Sequence, residues 1–177
     1  MRLADIGKLL ELWQYALDQK ANVVLMRHAP KSGSDNSDLS EKGGRLAIEY
    51  GYILRTGTDL RRKDPRLIGT SKNRTIETLK LMFPLSDPLE YPCSSDLDVN
   101  KVSPDVQRQC NELHEKIGCF RGYYLNHTYY FLEKLGGRFD EENPYTVVAE
   151  RMARGIKTLL GSGRFAIYCG HSPSIEA

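Results

Sequence analysis

Three short, largely apolar runs, at residues 23–26, 67–70 and 165–169, are too brief for helices and suited to buried strands. The sequence between them has helical periodicity, and strands separated by helices join most readily as a parallel sheet. Residues 3–19 place Leu3, Ile6, Leu10, Trp13 and Leu17 on one face, with Trp13 read as core packing. Ser40 stands where an N-cap belongs for a helix running to about Arg55. A further helix is predicted over 73–82, stopped near Pro84. Pro144 begins a long one, with Val147, Val148, Met152, Ile156, Leu159 and Leu160 directed inward. The expectation is one α/β domain over residues 1–177: a three-layer α/β/α sandwich with helices on both faces of a mainly parallel sheet.

Each run ends in residues able to hold a phosphoryl group. VVLMRHAP delivers Arg27 and His28, IGTSKNRTIET delivers Arg74, and FAIYCGHSP delivers His171. Ligands of open α/β sheets bind at the carboxyl edge, where these side chains are expected to meet. Neutral imidazole is a competent nucleophile near pH 7, because its ordinary pKa of about 6.5 leaves much of it unprotonated. His28 could therefore attack phosphorus without a separate base, giving a phosphohistidine. Planar guanidiniums bind the equatorial phosphoryl oxygens in a fork that lysine cannot copy, which suits Arg27 and Arg74. A protonated His171 would add a third charged donor.

These residues carry a resemblance to the histidine phosphatase superfamily, the phosphoglycerate mutase-like family. The Arg-His-Gly motif is matched by Arg27-His28-Ala29, the Ser-x-x-Arg-x-x-x-Thr pattern by Ser71 to Thr78, and Gly-His-Ser by Gly170-His171-Ser172. Asp38-Leu39-Ser40-Glu41-Lys42-Gly43 is similar to the family's acid-x-Leu-Thr-x-x-Gly segment, with Ser for Thr. The resemblance spans residues 22–175. It implies a phosphoglycerate mutase-like fold, with His28 as the phosphorylated nucleophile. Arg27, Arg74 and His171 would form the phosphate pocket, and Ser172 would also bind substrate. Two departures are Ala29 in place of Gly and Pro30 where mutases commonly carry an acidic or polar residue. The second favours a phosphatase over a mutase.

A phosphatase also needs an acid to protonate the leaving oxygen. One branch of the family places Asp directly after the second His; Ser172 excludes that branch. Other branches draw the acid from the segment after the second-motif helix, where Asp98 is the candidate and Asp96 the alternative, and either could instead be a solvated turn carboxylate. The implied activity is cofactor-independent hydrolysis of a phosphomonoester or phosphoramidate, releasing inorganic phosphate. The substrate is either a small phosphorylated metabolite or a phosphohistidine protein. The rivals are a mutase-like phosphotransferase and a catalytically silent protein that binds a phosphorylated ligand.

Residues 31–38, rich in Gly, Ser and Asn, are expected to form a loop beside the nucleophile. Residues 89–143 form a possible lid insert. Ser103-Pro104-Asp105 opens a predicted helix to about Lys116, and Tyr123, Tyr124, Tyr129, Tyr130 and Phe131 follow as either a substrate cover or a helix packed on the core. Residues 1–20 are an extra N-terminal helix by family standards. The final helix, starting at Pro173, looks incomplete, so the natural chain is expected to extend further.

Composition narrows the remaining classes. A net charge of +2 is small, and Arg61-Arg62-Lys63, with Arg55 and Arg66 nearby, reads as a solvated basic turn with no accompanying nucleic-acid motif. Cys93, Cys110, Cys119 and Cys169 lack zinc-ligand spacing, and no carboxylate cluster suits Mg²⁺, so neither metal nor cofactor is expected. Cys169, inside an apparent strand, is poorly placed for a disulfide. Charges among the first twenty residues are unlike a signal peptide, and no apolar run is long enough to span a membrane. A cytoplasmic location without nucleic-acid or membrane partners is the resulting expectation.

Overall fold

The computed structural model describes residues 3–18, 23–32, 38–84, 96–98, 103–106, 108, 109, 112 and 144–171. Helix α1 (Leu3–Asp18) precedes strand β1 (Val23–Arg27), helix α2 (Glu41–Gly57), a 3₁₀ turn (Asp59–Lys63) and strand β2 (Arg66–Ile68). Helix α3 (Asn73–Met82), helix α4 (Pro144–Gly161) and strand β3 (Ala166–Gly170) follow. Among the described residues the fold is mixed α/β around a three-stranded parallel sheet of order β1-β3-β2.

The last of these three in sequence occupies the centre. All five β3 residues are buried, as a strand covered on both faces requires. Alternation along the strands divides the core in two. Ile167 and Cys169 pack with Leu67, with Trp13 and Leu17 of α1, Ala47 and Leu54 of α2, and Leu79 and Met82 of α3. Ala166 and Tyr168 pack with Ile68, Leu97, and Met152 and Leu159 of α4. Trp13 is core, as its helical spacing predicts. Leu160, expected inward, is instead 48% exposed; one residue is about 100° of helix, and Leu159 occupies the inward position.

Two close approaches set the frame around β1. Ser40 caps α2 by accepting from the Gly43 amide at 2.9 Å, while its own hydroxyl and amide donate to the Pro30 carbonyl at 3.1 and 3.0 Å. A side chain at Gly43 would fall on that same carbonyl. The Leu-Ser-x-x-Gly pattern thus braces the chain two residues beyond His28. At the far side of α2, Gly51 lies against the Met82 backbone, and Arg55 donates to the Met82 carbonyl at the end of α3.

Of the basic turn, Arg62 and Lys63 are exposed, Arg62 pairing with Asp59 at 3.4 Å, whereas Arg55 and Arg66 are half-buried. Among the described residues, no helix is long and apolar enough to cross a membrane. Most of the possible lid, including its aromatic stretch, lies outside the described residues, as do loop residues 33–37 and the segment from Ser172 onward.

Candidate functional site

Arg27 and Gly170 are register partners at the carboxyl ends of β1 and β3. The ladder continues one step further, with the His28 amide donating to the Gly170 carbonyl at 3.1 Å. His28 and His171 therefore leave neighbouring parallel strands at one level, their rings 5.2 Å apart and edge to face.

Arg74, in the first turn of α3, joins them. Its Nε donates to His28 Nε2 at 3.1 Å, and its Nη2 reaches His171 Nδ1 at 3.2 Å. A guanidinium only donates, so His28 Nε2 presents its lone pair and the ring proton sits on Nδ1. That proton is donated to the Ala29 carbonyl, 2.6 Å away. The nitrogen facing the site is thus the unprotonated one, the state an attacking imidazole needs. Arg27, at the exposed end of β1, is close enough for its charge to depress the pKa of both His28 and Arg74.

Burial is the main cause that lowers the His28 pKa to about 4; the Ala29 carbonyl opposes this, and Arg74, Arg27 and Lys31 reinforce it. Burial followed by Arg74 and His28 lowers His171 to about 3, with Asp98 opposing. Both rings are neutral near pH 7. For His171 this differs from the protonated donor expected from sequence, because a ring 6% exposed beside a guanidinium loses more by charging than an isolated surface imidazole.

Asp98 is 1% exposed and accepts from the Ser71 amide at 2.8 Å, which brings it to the loop between β2 and α3. Asp96 is half-buried and lies beside Gly155 of α4. The intervening Leu97 separates them: its side chain packs over Gly155, and its carbonyl accepts from the buried Tyr168 hydroxyl at 2.5 Å. His28, Arg74, His171 and Asp98 are brought together and Arg27 lies within electrostatic range, while Ser172 falls outside the described residues.

Several supporting residues carry no role in the sequence reading. Thr78 accepts from the Ala29 amide at 3.0 Å and donates to the Arg74 carbonyl at 2.7 Å, linking the strand that delivers His28 to the helix that delivers Arg74. Its place in the Ser-x-x-Arg-x-x-x-Thr pattern is the signal that could have found it. Glu77 accepts from the Leu39 amide at 3.2 Å, and a bridge between Lys31 and Leu39 closes the base of the loop beyond His28. An apolar cavity of about 440 Å³ adjoins His28, lined chiefly by Leu9, Trp13, Met26, Tyr50, Leu54 and Met82.

The arrangement offers a phosphoryl anion two guanidiniums and the first turn of α3, whose amide end favours negative charge, with the His28 Nε2 lone pair beside them. Among the described residues, no group of three or more His, Cys, Asp or Glu side chains is disposed to hold a metal ion. No protein-family model, curated protein or solved structure gives a significant match to this chain.

Proposed function

We propose that this chain is a histidine phosphatase-like enzyme that hydrolyses a phosphomonoester or phosphoramidate through a phosphohistidine at His28. The observation that carries the reading is the Arg74 guanidinium hydrogen-bonded to both His28 and His171, residues contributed by separate strands. In the first step His28 Nε2 forms a bond to phosphorus as the bond to the leaving oxygen breaks, and Asp98 gives that oxygen its proton. Arg27 and Arg74 hold the phosphoryl oxygens, and His171 joins them by taking up a proton on Nδ1 as the anion enters, with Ser172 as a further substrate contact. In the second step water attacks phosphorus, Asp98 takes back a proton, and the P–N bond breaks to release inorganic phosphate.

On the same reading the complete fold is the three-layer sandwich of the phosphoglycerate mutase-like family, acting without cofactor or metal in the cytoplasm. Its substrate is a small phosphorylated metabolite or a phosphohistidine protein, rather than nucleic acid or membrane. The test is phosphate release from p-nitrophenyl phosphate and from an alkyl phosphate, with rapid alkaline quench to trap labelled phosphohistidine. His28→Ala should abolish both turnover and label. Asp98→Asn should slow the alkyl ester by about 10²–10⁴-fold and the aryl ester far less, because only the poor leaving group needs an acid. Activity of His28→Ala above a few per cent of the parent contradicts the nucleophile. Transfer to a second substrate in place of release indicates a mutase, and binding without turnover a silent ligand-binding protein.

A further inference from the structure

Behind His171 lies a closed set of buried hydroxyls. Thr70 and Thr75 are both fully buried, and Thr70 Oγ1 lies 3.0 Å from His171 Nε2. Thr70 Oγ1 also contacts Thr75 Oγ1 at 3.1 Å and accepts from the Lys72 amide at 3.3 Å. Thr75 Oγ1 accepts from the Thr70 amide at 2.9 Å and donates to the Lys72 carbonyl at 2.8 Å.

The Thr70 hydroxyl can donate or accept, so Arg74 decides the proton arrangement of this set. Arg74 Nη2 can only donate, so His171 Nδ1 must accept, and a neutral ring then carries its proton on Nε2. That proton has Thr70 Oγ1 as its acceptor. Thr70 in turn donates to Thr75, whose own proton is committed to Lys72. A protonated ring would turn N–H against N–H at Arg74, consistent with the neutral state that burial imposes.

We propose that Thr70 is a positioning residue that accepts the Nε2–H of His171 and so holds the ring in the tautomer Arg74 selects, with the Nδ1 lone pair facing Arg74 and the phosphoryl site. The catalytic part of this inference rests on the phosphatase reading; the tautomer does not. Without the Thr70 acceptor, the buried Nε2–H is left unsatisfied, and moving the proton to Nδ1 sets it against Arg74.

The experiment is ¹⁵N NMR of histidine-labelled, ligand-free protein near pH 7, with His171 assigned by its loss in His171→Asn. The parent should show the Nε2–H tautomer. Thr70→Val, nearly isosteric, should keep that tautomer through Arg74 but move the Nε2–H proton upfield as its hydrogen bond is lost, and lower kcat by about 10- to 100-fold with a smaller change in KM; Thr70→Ser should restore both. A parent spectrum with Nδ1–H overturns the proposal, as does Thr70→Val with the Nε2–H shift and kcat unchanged. If the parent hydrolyses no ester, the phosphatase reading fails, and the Thr70→Val spectrum alone decides the hydrogen bond. If Thr70→Val does not fold, Thr70→Ala takes its place, and the parent spectrum still decides.

Discussion

At the residue scale, Arg74 does more than add charge. By donating to both imidazoles it determines which nitrogen of each is free, and beside burial its charge helps keep both rings neutral. The pH dependence has a definite sign. With native pKa values near 4 and 3 against about 6.5 unfolded, the unfolded chain binds more protons across that window, so these groups' contribution to stability is whole above about pH 6.5 and is lost as pH falls through it. NMR titration should give a His28 midpoint near 4, with the neutral ring persisting to about pH 5. A midpoint near 6.5 would contradict the burial account. None of this coupling is legible in sequence: Arg27, His28, Arg74 and His171 are each marked by the apolar runs they terminate, but the hydrogen bonds among them depend on strand register. Likewise Asp98 and Asp96 are equivalent as letters, and Leu97 packing over Gly155 is what separates them.

At the scale of elements, local chemistry is read well wherever a cap or a period acts alone. Ser40 caps α2 as its position predicts, α3 occupies 73–82, and the inward stripe of α4 contains Met152 and Leu159. What sequence leaves open is how elements approach. Gly51 lets α2 lie against the end of α3, where Arg55 meets the Met82 carbonyl. Gly51→Ala would put its methyl onto backbone that no rotamer change can clear, and should destabilise the protein by about 1–3 kcal/mol. Gly7→Ala, on α1 with nothing in the space its methyl would occupy, should instead stabilise by about 0.5–1 kcal/mol. Urea unfolding midpoints of the two variants check both; a neutral Gly51→Ala would show that α2 and α3 are not so closely apposed.

For the whole molecule, the decisive feature is that β3 is both central and late. Sequence identifies three strands and a parallel sheet, but the order β1-β3-β2 is invisible to it, because each run is apolar enough to be central. Translation at about 5–20 residues per second separates the emergence of Arg27 from that of Gly170 by roughly 7–30 s. In that interval β1 and β2 exist without the strand both pair with, and unpaired apolar strands invite association with other chains. A chain shortened to end at residue 161 should therefore lack cooperative unfolding and aggregate. A soluble, cooperatively folded fragment would mean that the helices suffice. For the cell, the nascent protein needs protection on the ribosome until its 170th residue is made, and a prematurely terminated message yields a product to be cleared rather than a smaller folded protein.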